Sequence, residues 1–551
     1  MGYFLALIWY TLLAIACLVG VAACYFVRIL FVLPLFDPMY KLSGPKSKGL
    51  LIGDMHLVMN ANRTPQTCDK LVKSYGKTMK ISGFGSWDPR LYTLDQRALT
   101  YILNNPTKYQ KPWQSQRIIG NLIGYGMLAT EGITHRIQKR VITPAFSSEN
   151  LKHFLPIFFS KAQELRIKWD SLFDPNKEEG VDIDVYNWMS RGLDHPTHSD
   201  RSGFDYAFNA IENEENPVYI AYKEMFAMTL DLERSRGLIM GYGLFFMSLQ
   251  QLNPTQQPDE ATKAVTASHK VIYGMCRELV ENKREAVIRE MESGDKTEFA
   301  KDLLSRLCEF QGQRLSDESL MDNINTMLFA GSDTTSLALA WTLFLLATHQ
   351  HYQESLREEL VAFQDIVVDP YDPSVYSSLD ELPKLNNIIR ESLRLIPPVH
   401  SSLRVAMEDD IIPTSEPVQM SDGTLSADGV HIKKGTYVHI AFEGINMVRD
   451  VWGEDADVFR PERWENLPEA VKVNPSIYGG MMTFSHGPRA CMGLRFSMMV
   501  MKTFLYFMIS SYRFEPIVRI TKENNVMVRP YPNGEWQKPA KLPLRAIRIR
   551  V

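Results

Sequence analysis

The chain has 551 residues, with 60 Lys+Arg against 64 Asp+Glu for a net charge of −4, and 45% of its residues are apolar. That composition builds a folded core, and near-neutral charge argues against a general nucleic-acid binder, which carries a basic excess. The six cysteines, Cys17, Cys24, Cys68, Cys276, Cys308 and Cys491, are widely scattered, which excludes a disulfide scaffold and a C-x-x-C zinc site.

Residues 4–27 run 24 positions without a charge. At ~1.5 Å per residue a helix there reaches about 36 Å, enough to cross a hydrocarbon layer of ~30 Å. The segment has neither the basic start nor the small-residue exit of a cleaved signal, so it reads as a retained anchor over 1–30. Arg28, Lys41, Lys46 and Lys48 follow it, and this basic flank predicts that everything beyond stays on the cytosolic side. Pro34, Pro38 and the Gly44-Pro45 pair read as a stiff connector over 31–50. Asn62-Arg63-Thr64 matches a glycosylation sequon, a match that the cytosolic orientation makes accidental.

The body, 51–551, shows no repeat and no long linker. Apolar residues at helical spacing predict helices over 149–173, 265–292, 316–349, 382–395 and 494–510, with strand-like runs at 430–440 and 544–551. This is a mainly α pattern with small β-sheets, an α+β single domain. The apolar run 337–347 is too short to span a membrane and reads as core helix. Two segments stand out: 237–247 (GLIMGYGLFFM), either core or a patch that dips into a membrane surface, and 193–202 (LDHPTHSDRS), which breaks a helical pattern. In the latter, His195-x-x-His198 could suggest a metal pair, but no recognised ligand set forms around it, so a loop insertion or an error in the sequence of this stretch is the simpler reading.

The sharpest signal is Phe484-Ser-His-Gly487-Pro-Arg489-Ala-Cys491-Met-Gly493. Gly487 and Gly493 let backbone approach a flat ligand closely, Arg489 offers a fork for a carboxylate, and Cys491 precedes a helix whose free N–H groups favour a thiolate. A buried structural cysteine is the default for a lone Cys, but four required residue types in register argue against it. The segment resembles the haem-binding loop of the cytochrome P450 family, F-x-x-G-x-R-x-C-x-G, with Cys491 in the place of the iron's axial ligand. Three further signatures are similar and in the family's order. Glu391-Ser-Leu-Arg394 puts an acid and a base on one helix face; the resemblance implies that they lock with Arg463 of Phe459-Arg-Pro-Glu-Arg463-Trp. Ala330-Gly331-Ser-Asp333-Thr334-Thr335 lies inside the run from 316, where Thr334 is expected to divert the Ala330 carbonyl and bend the helix. Arg404 resembles a second partner for the cofactor's carboxylates. His135 and Lys139 stand where the family has Trp and Arg, and Lys lacks the planar fork of Arg.

The resemblance covers about residues 40–551 and looks most like fungal microsomal members. It implies the cytochrome P450 fold with haem b as cofactor and Asp333 and Thr334 as a proton relay. It further implies a monooxygenase that puts one oxygen atom of O2 into an apolar small molecule, working from the endoplasmic reticulum membrane in contact with its lipid. No flavin or nucleotide motif is present, since Gly83-Phe-Gly85 is a lone G-x-G. Electrons are therefore expected from NADPH through a separate flavoprotein reductase. Two alternatives stay open: a thiolate-haem isomerase or dehydratase, and a haem carrier or sensor without turnover.

Overall fold

The computed structural model describes the chain apart from residues 1, 48, 50–51, 59, 175–178, 194–210, 214, 235–259, 294–314, 365–372, 474–477, 525–526 and 550–551. The expectations for residues 194–202, with His195 and His198, and for 237–247 lie outside the described residues.

The first helix, Gly2–Val27, is exposed along its length and continues through a π turn, Arg28–Val32, into Leu33–Phe36. The helical run thus extends past the position at which a connector was expected. Pro34 follows closely on the π turn, where the backbone bonding pattern already shifts, and the helical run ends two residues later at Phe36. The 35-residue run Gly2–Phe36 is the one described helix long and apolar enough to cross a membrane.

The predicted helices are present within a few residues of their expected ends. The observed elements are Ser148–Asp170, Glu260–Ser293, Asp317–Thr348, Pro383–Leu395 and Leu494–Ser511. Ser316 caps Asp317–Thr348 by accepting from the Ser319 N–H, with Asp317 and Glu318 in the first turn to complement the helix dipole. Gly331 does not break that helix. Its flanks supply the stability: Leu337, Leu339, Ala340, Trp341 and Leu343 are all buried, and burial of several large side chains outweighs the ~1 kcal/mol cost of one internal glycine. This helix is the axis of the molecule. Val185–Leu193, Glu260–Ser293, Gln350–Gln364, Pro383–Leu395 and Leu494–Ser511 all pack against it.

The expected strand at 430–440 is two strands in different sheets. Val430–Ile432 pairs with Asp410–Ile412, and Tyr437–Ile440 sits at the centre of a five-stranded sheet. Gly435, at φ 91°, makes the turn between them, a conformation a side chain resists. In the five-stranded sheet the order is Thr78–Ser82, Pro89–Thr93, Tyr437–Ile440, Ser402–Ala406, Tyr109–Gln110. This sheet carries Arg404 and places the segment after Gln110 beside it. The last strand, Pro543–Arg548, lies between Tyr512–Pro516 and Val181–Asp184.

Candidate active site

The cysteine loop is an irregular turn closed by its own backbone: Cys491 N–H donates to Phe484 O at 2.9 Å and Ala490 N–H to Gly487 O at 3.0 Å. Ser485 at φ 60° and Gly487 at φ 72° produce the reversal. A Cβ on Gly487 would meet Leu103 O at 2.5 Å, so this position needs glycine for space as well as for conformation. The loop delivers Cys491 to the start of Leu494–Ser511.

Cys491 faces a cavity of about 410 Å³. The sulfur is open to that internal space while protein encloses it on every other side. Burial raises the thiol above its ordinary range, and the Gly493 N–H and the Lys139 charge act against that rise. Phe484, Gly493, Ala330, Gly331, Thr334 and Thr335 line the same cavity. Thr334 Oγ1 donates to Ala330 O at 2.7 Å, as expected from the sequence. An added Cβ on Gly331 meets nothing within 4 Å, so glycine here widens the cavity.

Asp333 departs from expectation. It does not line the cavity. Its carboxylate is buried behind the helix, where Arg529 donates to Oδ2 at 2.8 Å and the Tyr186 hydroxyl donates to Oδ1 at 2.8 Å. Arg529 also donates to Tyr186 Oη. Adjacent helical positions differ by about 100° in direction, and here Thr334 faces the cavity while the Asp333 carboxylate turns to Arg529 and Tyr186. Arg529 and Tyr186 lie 196 and 147 residues away in sequence and are joined to Asp333 by the fold alone.

One rim of the cavity carries Lys111, His135, Lys139, Arg404 and Arg489. Arg404 is buried, donating to Ser402 Oγ at 2.6 Å and Leu403 O at 2.8 Å, and burial lowers it to about 10. Arg489 donates to Glu131 and to Thr130 O at 2.8 Å. Lys139 donates to Pro488 O at 2.6 Å. Lys111, a residue the motifs do not flag, donates to Leu128 O at 2.8 Å, with Glu131 3.7 Å away. Burial and the charges of Arg489 and Arg404 push Lys111 down to about 7, against the pull of Glu131. Burial, then Arg489, Lys111 and Lys139, lowers His135 to about 3. Among the described residues, four basic side chains here face one carboxylate. A buried excess of positive charge is costly unless an anion completes it.

Glu391, Arg394 and Arg463 come together as the resemblance implied, all buried. Arg394 bonds both Glu391 oxygens at 2.9 and 2.7 Å, and Arg463 Nε approaches Glu391 Oε1 at 3.3 Å. Trp464 Nε1 donates to Glu391 at 3.0 Å, while Arg394 also reaches Asn446 O and Ala456 O and Arg463 reaches Trp452 O and Asp455. Asn446 then ties the network to the cysteine loop, accepting from Met482 N–H at 2.7 Å and donating to Thr483 Oγ1 at 2.9 Å.

The long helix runs unbroken through Thr334, so the bend expected from the sequence does not interrupt it. A thiol facing the cavity, a threonine on the long helix that lines it and a rim of unbalanced cations fit a flat iron macrocycle with two acidic side chains. Comparison with known proteins agrees. The family model for cytochrome P450 matches residues 43–537. The chain is 35% identical over 95% of both lengths to cytochrome P450 monooxygenase 128 of Postia placenta, and 34% identical over 92% of both to monooxygenase 205 of the same fungus. It is 28% identical over 92% of both lengths to cytochrome P450 monooxygenase claW of Ampulloclitocybe clavipes. The chain belongs to the cytochrome P450 family, whose cofactor is haem b and whose members of this kind are monooxygenases.

Proposed function

We propose that this chain is a membrane-anchored monooxygenase of a mainly apolar small molecule, fed with electrons from NADPH by a separate flavoprotein reductase. In this reading residues 1–30 anchor it in the endoplasmic reticulum membrane, 31–50 connect, and 51–551 form the catalytic domain on the cytosolic side. The observation that carries the reading is the meeting of Cys491, Thr334 and the basic rim on one otherwise apolar cavity.

When bound, haem supplies the iron at which O2 is held and reduced. Cys491 would hold its iron through the sulfur, and Phe484, Gly487 and Gly493 shape the loop that presents that sulfur. Arg404, Arg489, Lys111 and Lys139 would hold the cofactor's carboxylates, with neutral His135 placed to give or take a hydrogen bond beside them. Glu391, Arg394 and Arg463 brace the loop from behind. Thr334 is the hydroxyl that meets the reacting atoms: bonded to Ala330 O through its hydrogen, its oxygen keeps lone pairs to receive and pass on a proton. Asp333 takes part from behind the helix, through the hydrogen-bonded chain it makes with Arg529 and Tyr186.

The absorbance spectrum of the reduced, carbon monoxide-bound protein tests the ligand, and NADPH consumption with a purified reductase tests turnover. Cys491→Ala is expected to abolish the thiolate band. Thr334→Ala is expected to keep that band and divert electrons to hydrogen peroxide. Folded protein that stays colourless after haem reconstitution overturns the reading, and unchanged product per NADPH in Thr334→Ala removes the relay.

A further inference from the structure

Asp317–Thr348 carries several hydroxyl side chains, and a number of them behave alike. Thr334, Ser336 and Thr342 each donate to the carbonyl four residues back, at 2.7, 2.8 and 2.7 Å. Thr326 differs. It lines the same cavity and is only 2% exposed, yet its hydroxyl has no hydrogen-bond partner among the described residues. Its oxygen rests against Gly126, where an added Cβ would lie 2.2 Å away. Threonine in a helix has two accessible χ1 rotamers, and turning this one toward the cavity breaks no hydrogen bond because none is made.

A buried, unsatisfied hydroxyl costs stability and is kept where a ligand completes it. Met127, Met327, Phe329, Ala330, Val399 and Met527 share the cavity and carry no polar side-chain group for hydrogen bonding, while of its other hydroxyls Thr334 and Thr483 are already bonded to backbone carbonyls. The basic side chains stand at the rim near Arg404 and Arg489. The nearest acid on the helix is Asp322, one turn before Thr326, already bonded to the Tyr273 hydroxyl and to Tyr125 N–H at 2.9 Å. A carboxylate on the ligand would lie beside that acid and be repelled, whereas a neutral hydroxyl or carbonyl would not. Thr326 precedes Thr334 by eight residues, which is ~12 Å along a helix axis.

We infer that Thr326 anchors the substrate, which is an elongated apolar molecule bearing one neutral hydroxyl or carbonyl roughly 12 Å from the carbon that is oxidised. The inference rests on the monooxygenase reading above and specifies its substrate class.

The test uses haem-loaded full-length protein and three probes of equal length: lauryl alcohol, dodecane and laurate. Binding is read from the shift of the haem absorption band and, independently, by calorimetry. The wild type is expected to bind the alcohol about tenfold more tightly than the alkane, the size of one net hydrogen bond, and laurate no better than the alkane. Thr326→Val, of nearly the same shape, is expected to lose the alcohol preference and keep alkane binding; Thr326→Ser is expected to restore it. Equal affinity of wild type and Thr326→Val for the alcohol overturns the inference, and so does a preference for laurate. Each of these outcomes is scored on protein with an intact thiolate spectrum, whereas absence of that spectrum in the wild type overturns the monooxygenase reading itself.

Discussion

Two buried ionic clusters flank the cysteine loop, and they are built on opposite principles. In the Glu391–Arg394–Arg463 cluster every arm has a protein partner: carboxylate to guanidinium, guanidinium to backbone carbonyl, indole to carboxylate. The rim cluster of Lys111, Lys139, Arg404 and Arg489 has four bases and, in Glu131, one acid. A closed cluster fixes geometry, while an open one holds a place for charge that arrives with a ligand. The first belongs to the fold and the second to the cofactor.

Cutting into the closed cluster should have the largest effect. Arg394→Ala leaves Glu391 buried without its bidentate partner and is expected to cost ~3–5 kcal/mol. Loss of cooperative unfolding by circular dichroism checks it; a variant as stable as the wild type would show that the two clusters do not differ in kind. Arg404→Ala in the open cluster is expected to leave the unfolding transition of the haem-free protein nearly in place while speeding transfer of haem to apomyoglobin severalfold.

The open cluster should also respond to pH. Lys111, held down to about 7 before the cofactor's carboxylates arrive, is pulled back up by them, so loading takes up a proton. Haem affinity is therefore full below about 7 and weakens as pH rises above it, by up to tenfold per unit until the loaded protein also deprotonates. Haem retention measured between pH 7 and 9 checks this, and Lys111→Met should flatten the dependence. Glu131, Arg489, Arg404, Lys139 and His135 surround the same point and set its background.

The smallest effect sharpens the comparison from outside both clusters. His439, in the centre of the five-stranded sheet, is buried, stacks on Tyr92 at 5.7 Å and has no hydrogen-bond partner for either ring nitrogen among the described residues. Burial, His400 and Arg90 lower it to about 3. The unfolded chain takes up a proton on this residue near 6.5 and the folded chain does not. Its contribution is therefore intact above about 6.5 and falls away between there and 3. His439→Phe is expected to narrow the gap in melting temperature between pH 7 and pH 5.

Much of this was legible from short-range pattern. Thr334 back-bonding to Ala330 follows from i, i+4 spacing on a helix, and the Glu391–Arg394 pair from i, i+3 spacing. The long helices follow from apolar periodicity. What pattern does not carry shares a cause. The resemblance pairs Asp333 with Thr334 as a relay, and only the fold brings Arg529 and Tyr186 onto the Asp333 carboxylate. Lys111 carries no motif, and its importance comes from the sheet that sets Tyr109–Gln110 against Ser402–Ala406 beside Arg404. The segment 430–440 reads as one strand because apolar residues keep the same register on both sides of a turn that Lys433-Lys434-Gly435 marks.

The loop between Gly124 and Glu131 serves two masters. Asp322 and Asn323 grip its Tyr125 and Met127 amides from the helix side, and Arg489 grips its Met127 and Thr130 carbonyls and Glu131 from the cysteine side. Arg489 thus stands in both the cofactor's rim and the loop that walls the cavity. A substitution there would disturb the seat of the prosthetic group and the shape of the substrate's wall together.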